Sequence, residues 1–399
     1  MTKTDSQTSS PPSGRLEALD AFRGAIMLLM ASGGLGFAQI AKSHPDSVLW
    51  GFVARQVDHV AWSGCVLWDL IQPAFMFMVG VALPWSIAHR RAASLGFSSM
   101  LPHALWRSLL LVVLAVFLTS AWSPRTDWIF PNVLAQIGLG YPVVFLVAFT
   151  RPRTQLWSAF SILAVYWLAF ALYPLPPTSL NAETVGWSKD WIPLAGFEAH
   201  WNKNTNFAAW FDSWFLNLFP RDKPFVYNSG GYQTLNFVPS MATMIFGVMT
   251  GGFLRQNLEW SQKLQRLLVV GLLAIGLGKV IELLGLCPIV KRIWTPSWAL
   301  YSTGWVILML CGFVAVMEWK RYRSWAFPLV VAGLNPISLY VLWQLMGGFI
   351  RENLKRHLGP NLFETFGAPC VTALERGSTL LILWLILFWM YRNRFFVRL

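Results

Sequence analysis

The chain alternates between apolar runs long enough to cross a bilayer and shorter polar segments. A hydrocarbon layer of about 30 Å requires roughly 20 apolar residues in helix, and runs of that order recur along the whole sequence. The pattern predicts ten spans, at 20–40, 67–88, 105–122, 131–149, 156–173, 237–254, 267–286, 298–317, 326–347 and 377–392. The expected fold class is therefore all-α: a polytopic membrane helix bundle of about ten transmembrane helices, forming a single domain over 15–399. Residues 1–14 are polar and rich in Ser and Pro, the composition of a disordered tail. The run that follows carries Asp20 and Arg23 and reads as a retained span, not a cleaved signal peptide. The longest polar interruption, 174–236, is dense in Trp, Asn and Gly. It reads as an ordered extracytoplasmic lid, because loops beyond about 15 residues commonly carry function.

Composition narrows this picture. Of 399 residues, 55% are hydrophobic and 12% charged, too apolar for a soluble domain of that size. The formal net charge of +13 comes from short basic segments flanking the spans, the pattern of topology determinants. No basic surface helix or nucleic-acid motif accompanies it, so nucleic acid is not an expected partner. On one side of the predicted membrane Lys and Arg outnumber Asp and Glu by about four to one, while the other side is near balance. This orients both termini toward the cytoplasm of a cell (inner) membrane and the loop around residue 59 outward. Many of the 23 tryptophans suit interfacial belts against membrane lipid. Cys65, Cys287, Cys311 and Cys370 show no metal-ligand spacing and read as free thiols, with pairing among Cys65, Cys287 and Cys370 left open. No metal site is expected. Whether the chain forms a homodimer is not legible.

Candidate chemistry concentrates in 58–80, DHVAWSGCVLWDLIQPAFMFMVG. His59, Trp62, Asp69 and Gln72 are costly near lipid unless they face a wet cavity. An imidazole titrates near neutrality, so His59 is a candidate general base; an interfacial histidine held by hydrogen bonds is the alternative. Asp69, expensive inside a span, would orient His59 or bind the acceptor, or else cap backbone or pair with Lys279. Continuous helix would separate His59 from Asp69 by about 15 Å, so contact requires a turn near Ser63 and Gly64. Asp58 is a second carboxylate able to stabilise an imidazolium. Asp20 and Arg23 share a helix face; Arg23 is a candidate for gripping a cofactor phosphate, or a snorkelling cation paired with Asp20. Lys279 and Glu282 have the same spacing and either neutralise one another or line the cavity. Lys291 and Trp294, in KRIWTPSW, suit an anionic or sugar ligand, and equally an interface anchor. In 174–236, His200, Asn202 and Asn204 stand among tryptophans in a carbohydrate-type pattern, although packing on the bilayer explains the indoles as well. Walker A, G-x-G-x-x-G, H-E-x-x-H and G-x-S-x-G are all absent.

Four stretches carry a family resemblance. LDAFRG at 19–24 resembles an LDxFRG opening, and HVAWSGCVLWDLIQP at 59–73 an H-x-x-W-x-G-x-x-x-x-D-L-x-x-P block. WTPSW at 294–298 and GLNPISLYVL at 333–342, which contains Asn335, resemble W-T-x-S and G-x-N-x-x-x-x-Y-V. Together they resemble the heparan-α-glucosaminide N-acetyltransferase family of transmembrane acyltransferases. The resemblance implies transfer of an acetyl group from cytosolic acetyl-CoA to an amino-sugar or glycan acceptor on the far side, with His59 at the catalytic centre and Asp69 as the block's aspartate. It departs at Gly34, where the family often has Asn, at Gln136, where it often has Arg in the cofactor-side L-x-R-I motif, and at Trp343 and Gln344, where it often has His-Glu. About 20 residues are added before His59, and the family's large luminal N-terminal domain has no counterpart, which fits a bacterial member. The expected sites are thus His59, Asp69 and Asp58 for catalysis; Arg23, Asp20, Gln136 and Lys279 toward acetyl-CoA; and Trp62, Gln72, His200, Asn202, Asn204, Lys291, Trp294 and Asn335 toward the acceptor. General-base transfer and an acetyl-histidine intermediate both remain open. The rival from another class is a non-enzymatic glycan or lipid carrier using the same polar cavity.

Overall fold

The structure, a computed structural model, describes residues 16–397 apart from 178, 360 and 366. The tail expected at 1–14 lies outside the described residues. In chain order the α-helices are α1 Glu17–Ala31, α2 Phe37–Ser43, α3 Val48–Gln56, α4 Ile71–Ala92, α5 Phe97–Ser120, α6 Val133–Ala148, α7 Pro152–Ala171, α8 Phe207–Phe215, α9 Phe237–Leu254, α10 Trp260–Leu283, α11 Pro296–Val314, α12 Phe327–Leu334, α13 Pro336–Leu358 and α14 Val371–Arg392.

Each of the ten expected spans falls on helix. Among the described residues seven helices are long and apolar enough to cross a membrane, and up to nine if each bent pair counts as one span. The chain is a multi-pass membrane helix bundle. The bends have identifiable causes. Gly33, Gly34, Leu35 and Gly36, all at positive φ, break the first span by 47°. Pro336, which lacks an N–H and constrains the residue before it, follows Asn335 at a 71° break between α12 and α13. The segment expected at 131–149 is α6, 16 residues long and therefore about 24 Å. It begins late because Asn132 caps it, its side chain accepting from Ala135 N–H at 2.9 Å.

Burial sorts the helices into an inner and an outer set. Two-thirds of the span containing α9 is buried, against 11% for that containing α14; α10 and α5 present rows of exposed leucine and valine, as a lipid-facing surface requires. Helix α4 packs on α9, α10 on α11, α1 on α12 and α5 on α6. Small residues allow the α4–α9 approach: a Cβ on Gly80 would sit 1.9 Å from the Met244 carbonyl oxygen, and one on Gly247 2.1 Å from that of Phe77. Without a hydrophobic drive between helices in lipid, such backbone proximity is what packing relies on.

The 174–236 segment is folded, with α8 and several single-turn helices. Its Asn206 caps α8, and Arg292 ties it to the rest through hydrogen bonds to Gly230 O at 2.7 Å and Val60 O at 3.2 Å.

Candidate active site

Helix α4 does not begin until Leu67–Leu70 makes a single leading turn, and the residues before it fold back. Gly64 makes that possible. Its φ of +119° belongs to the region that glycine alone adopts without strain, and its N–H donates to Ile289 O at 2.9 Å, beside a one-pair antiparallel bridge between Ser63 and Val290. The turn needed near Ser63 and Gly64 is thus present, and it delivers His59 to the start of α4. His59 Nδ1 lies 2.7 Å from Asp69 Oδ1, in place of the ~15 Å of straight helix.

Asp69 is 1% exposed and surrounded by donors. Its Oδ2 accepts from Val66 N–H at 3.4 Å and Val60 N–H at 3.5 Å, while Oδ1 accepts from His59 and from Lys291 Nζ at 3.3 Å. Its partner cation is therefore Lys291 and not Lys279. Lys291 Nζ also lies 3.2 Å from His59 Nδ1, but one ring nitrogen cannot both donate to a carboxylate and accept from an ammonium. The 2.7 Å contact has the length of a charge-assisted bond, so Nδ1 carries the proton toward Asp69 and the ammonium donates to the carboxylate. That leaves Nε2 as the basic nitrogen of a side chain that is 36% exposed. Burial pushes the Lys291 ammonium down to about 8, against the pull of Asp69. Burial likewise pushes the neighbouring Cys65 thiol up to about 12, so it is uncharged.

Two cavities converge on this region. One, of about 410 Å³, is lined by His59, Gln72, Trp68, Asn132, Tyr232, Lys291 and Trp343 among others. The second, of about 620 Å³, runs toward the other end of α4 and is lined by Arg23, His89, Arg90, His103 and Arg107 with Met, Leu, Ile and Phe side chains between. Arg90 and Gln72 are 18 residues apart on α4, or about 27 Å. Phe75, Val133 and Tyr340 line both cavities. They stand between the two cavities as a shared collar.

The other expected residues are distributed as follows. Asp58 is exposed and accepts from the His59 backbone N–H at 2.8 Å, away from the ring. Arg23 lines the basic cavity, bonded to Asp20 at 3.3 Å and Gly333 O at 3.4 Å. Gln72, at the wall of the His59 cavity, donates to Gln136 Oε1 at 2.9 Å, bridging α4 and α6. Lys279 pairs with Glu282 and lines neither cavity. Trp62 is buried against Trp191 and donates to Trp201 O, while Trp294 is buried beside Thr243. Asn202 makes two bonds to the Leu194 backbone, and Asn204 holds Val185 O and Asn228 O. These amides fold the 174–236 segment instead of facing a cavity. His200 packs on Phe197 and Trp201. Asn335 holds the C-terminal stretch through Phe395 O and Val397 N–H, at the basic cavity's end. All four cysteines are free.

Sequence reasoning passed over Arg90, Arg107, Tyr232 and Tyr340 as site residues. His89, Arg90 and Arg91 had counted only as a topology signal; the missed cue was His103 and Arg107 four residues apart on the next helix, hence on one face. Arg107 sits over the Tyr141 ring at 4.9 Å.

Fold and site together define a polytopic membrane protein with a His–Asp–Lys cluster, its Asp and Lys buried, at the wall of one cavity and a basic second cavity abutting it. No family model matches the chain. It is similar to the heparan-alpha-glucosaminide N-acetyltransferases of Homo sapiens and Mus musculus, each 22% identical over 89% and 90% of this chain respectively. It spans 57% and 59% of the length of these two relatives.

Proposed function

We propose that the chain is a membrane-bound acyltransferase that moves an acetyl group from acetyl-CoA to an amino-sugar or other glycan acceptor across the membrane. The observation that carries this reading is the division of the two cavities: a cluster of Arg and His lines one, His59 with Lys291 lines the other, and both share Phe75, Val133 and Tyr340. A long donor with anionic groups at one end and a thioester at the other matches that layout. Arg90, Arg107, His103 and Arg23 would hold phosphates, the apolar wall would hold the arm, and the thioester would reach the collar.

At the far side, the acceptor amine or hydroxyl attacks the thioester carbonyl as His59 Nε2 takes its proton. The new N–C or O–C bond forms, the C–S bond breaks, and the proton passes on to the departing thiolate. Asp69 stabilises the imidazolium formed meanwhile. The same Nε2 also suits direct attack on the thioester, giving an acetyl-imidazole that the acceptor then relieves. Peptide mass spectrometry after exposure to acetyl-CoA without acceptor separates the two routes by acetylation at His59.

In this reading the basic end faces the cytosol, in keeping with the positive-inside pattern, and 174–236 covers the acceptor side, to which it contributes Asn228 and Tyr232. The test uses purified full-length protein with acetyl-CoA and D-glucosamine. Acetyl-CoA is expected to raise thermal stability in both wild type and His59→Ala, with thiol release only in wild type, reduced at least 10³-fold by the substitution. No response to acetyl-CoA would favour a non-enzymatic carrier, and retained turnover in His59→Ala would remove His59 from the chemistry.

A further inference from the structure

We propose that Lys291 is a positioning residue for acyl transfer, its buried ammonium supplying the counter-charge that holds Asp69 ionised and leaves the His59 ring without a second proton. This rests on the reading of His59 as the group that acts on the acyl donor or acceptor.

Three observations lead to it. The Lys291 side chain is only 6% exposed, and Asp69 is its one ion-pair partner among the described residues. Its position is fixed from both sides: Trp294 N–H donates to Lys291 O at 2.9 Å, Thr295 N–H to Val290 O at 3.1 Å, and the neighbouring Ile289 is bonded to Gly64 of the His59 loop. Finally, its Nζ contacts the same carboxylate oxygen, Oδ1, that takes the His59 Nδ1 proton.

The charges close only with this lysine. A lysine cation, an aspartate anion and a neutral imidazole sum to zero, and the two charged members are nearly shut off from water. Without the lysine, an anion and a neutral ring remain, and such a buried pair takes up a proton to become carboxylate and imidazolium. An imidazolium is neither base nor nucleophile. Nothing else at the site replaces the lysine. Asp58 bonds the His59 backbone, the Cys65 thiol is neutral, the Tyr232 phenol is pushed up by burial, and the Arg292 guanidinium is turned to Gly230 O and Val60 O. Burial lowers the ammonium to about 8, so it stays mostly charged below neutral pH, where an imidazole takes up its second proton.

The test reads His59 directly. Full-length protein is treated with diethyl pyrocarbonate from pH 5.5 to 9, and carbethoxylation is followed residue by residue by mass spectrometry. His44, His103 and His200 serve as references. In Lys291→Met the rise of His59 reactivity is expected to move to higher pH, so that modification near pH 6.5 falls at least tenfold and approaches the wild-type rate by pH 9. The reference histidines should be unchanged, and Lys291→Arg should follow the wild-type curve. In acetyl transfer the Met variant should lose kcat near neutrality with an unchanged KM for acetyl-CoA. An unshifted His59 profile in Lys291→Met overturns the proposal, as does an Arg variant that behaves like Met; if Met fails to fold, a shifted profile in the folded Arg variant does so alone. A wild type that transfers no acetyl group, with the reactivity shift still seen in Lys291→Met, would sink the acyltransferase reading and leave only the charge assignment of His59, Asp69 and Lys291 standing.

Discussion

The two cavities handle positive charge in opposite ways. In the larger one, Arg90 and Arg107 are half-buried at the wall beside the exposed His89 and His103, so the two guanidinium charges are offered to whatever enters, while Arg23 stands there paired with Asp20. In the smaller one, the Lys291 cation faces inward to a carboxylate, and the polar surface at the wall is mainly His59 with the amides of Gln72, Asn132 and Asn228. Charge that greets a ligand contributes to affinity; charge locked in a buried network fixes geometry and protonation. The proposed acyl transfer needs both kinds. The collar of Phe75, Val133 and Tyr340 is where one gives way to the other.

Breaking the inward-facing network is expected to have the largest effect. Asp69→Asn keeps the side chain's size but no longer holds the Nδ1 proton as an anion does, and kcat should fall roughly 10³-fold with little change in KM for acetyl-CoA. Steady-state kinetics on the purified variant check this; a change confined to KM would mean that Asp69 belongs with the ligand-greeting charges after all.

The complementary substitutions, Arg90→Ala and Arg107→Ala, should show the reverse split. Loss of one charge-assisted contact, at about 1.5–3 kcal/mol, raises KM for acetyl-CoA roughly ten- to a hundredfold and leaves kcat near wild type. Both effects should shrink as ionic strength increases. A drop in kcat alone would erase the distinction between the cavities.

Much of this was legible in the sequence, and the rest shows what linear reading cannot reach. The spans follow from apolar length, and His59 with Asp69 stood out because polar groups are costly in lipid. Even the turn between them was foreseeable from Gly64. Lys291, however, is 222 residues from Asp69, and nothing in KRIWTPSW reveals which way the lysine points; its indole neighbour suggested a ligand, whereas Trp294 is wholly buried. The asparagines of 174–236 misled for a related reason. Amides that suit sugar hydroxyls suit stray backbone groups equally, and a long segment with little regular structure has many of these to satisfy. Lys279 and Glu282 obeyed the simplest reading, a pair one helical turn apart.

Another buried carboxylate sharpens the point about counter-charge. Asp212, on α8, is as buried as Asp69, but its Oδ2 accepts from Thr234 N–H at 2.9 Å and its Oδ1 has no hydrogen-bond partner among the described residues. With no cation bonded to it, burial pushes this carboxyl up to about 6 from 3.8. The folded state then holds its proton more tightly than the unfolded state, so stability falls as pH rises from about 4 to 6 and is flat above; the loss is about 3 kcal/mol. Asp212→Asn has no charge to bury and can still accept from Thr234 N–H. It should melt a few degrees above wild type at pH 7.5, with the gap closing by pH 4, while turnover is unchanged because Asp212 lines neither cavity. Thermal melts of both proteins across that range give the comparison. Were Asp212→Asn to lower the melting point at pH 7.5, burial without a cation would not be the dominant influence here, and the weight placed on Lys291 as the partner of Asp69 would have to rest on its direct bonds alone.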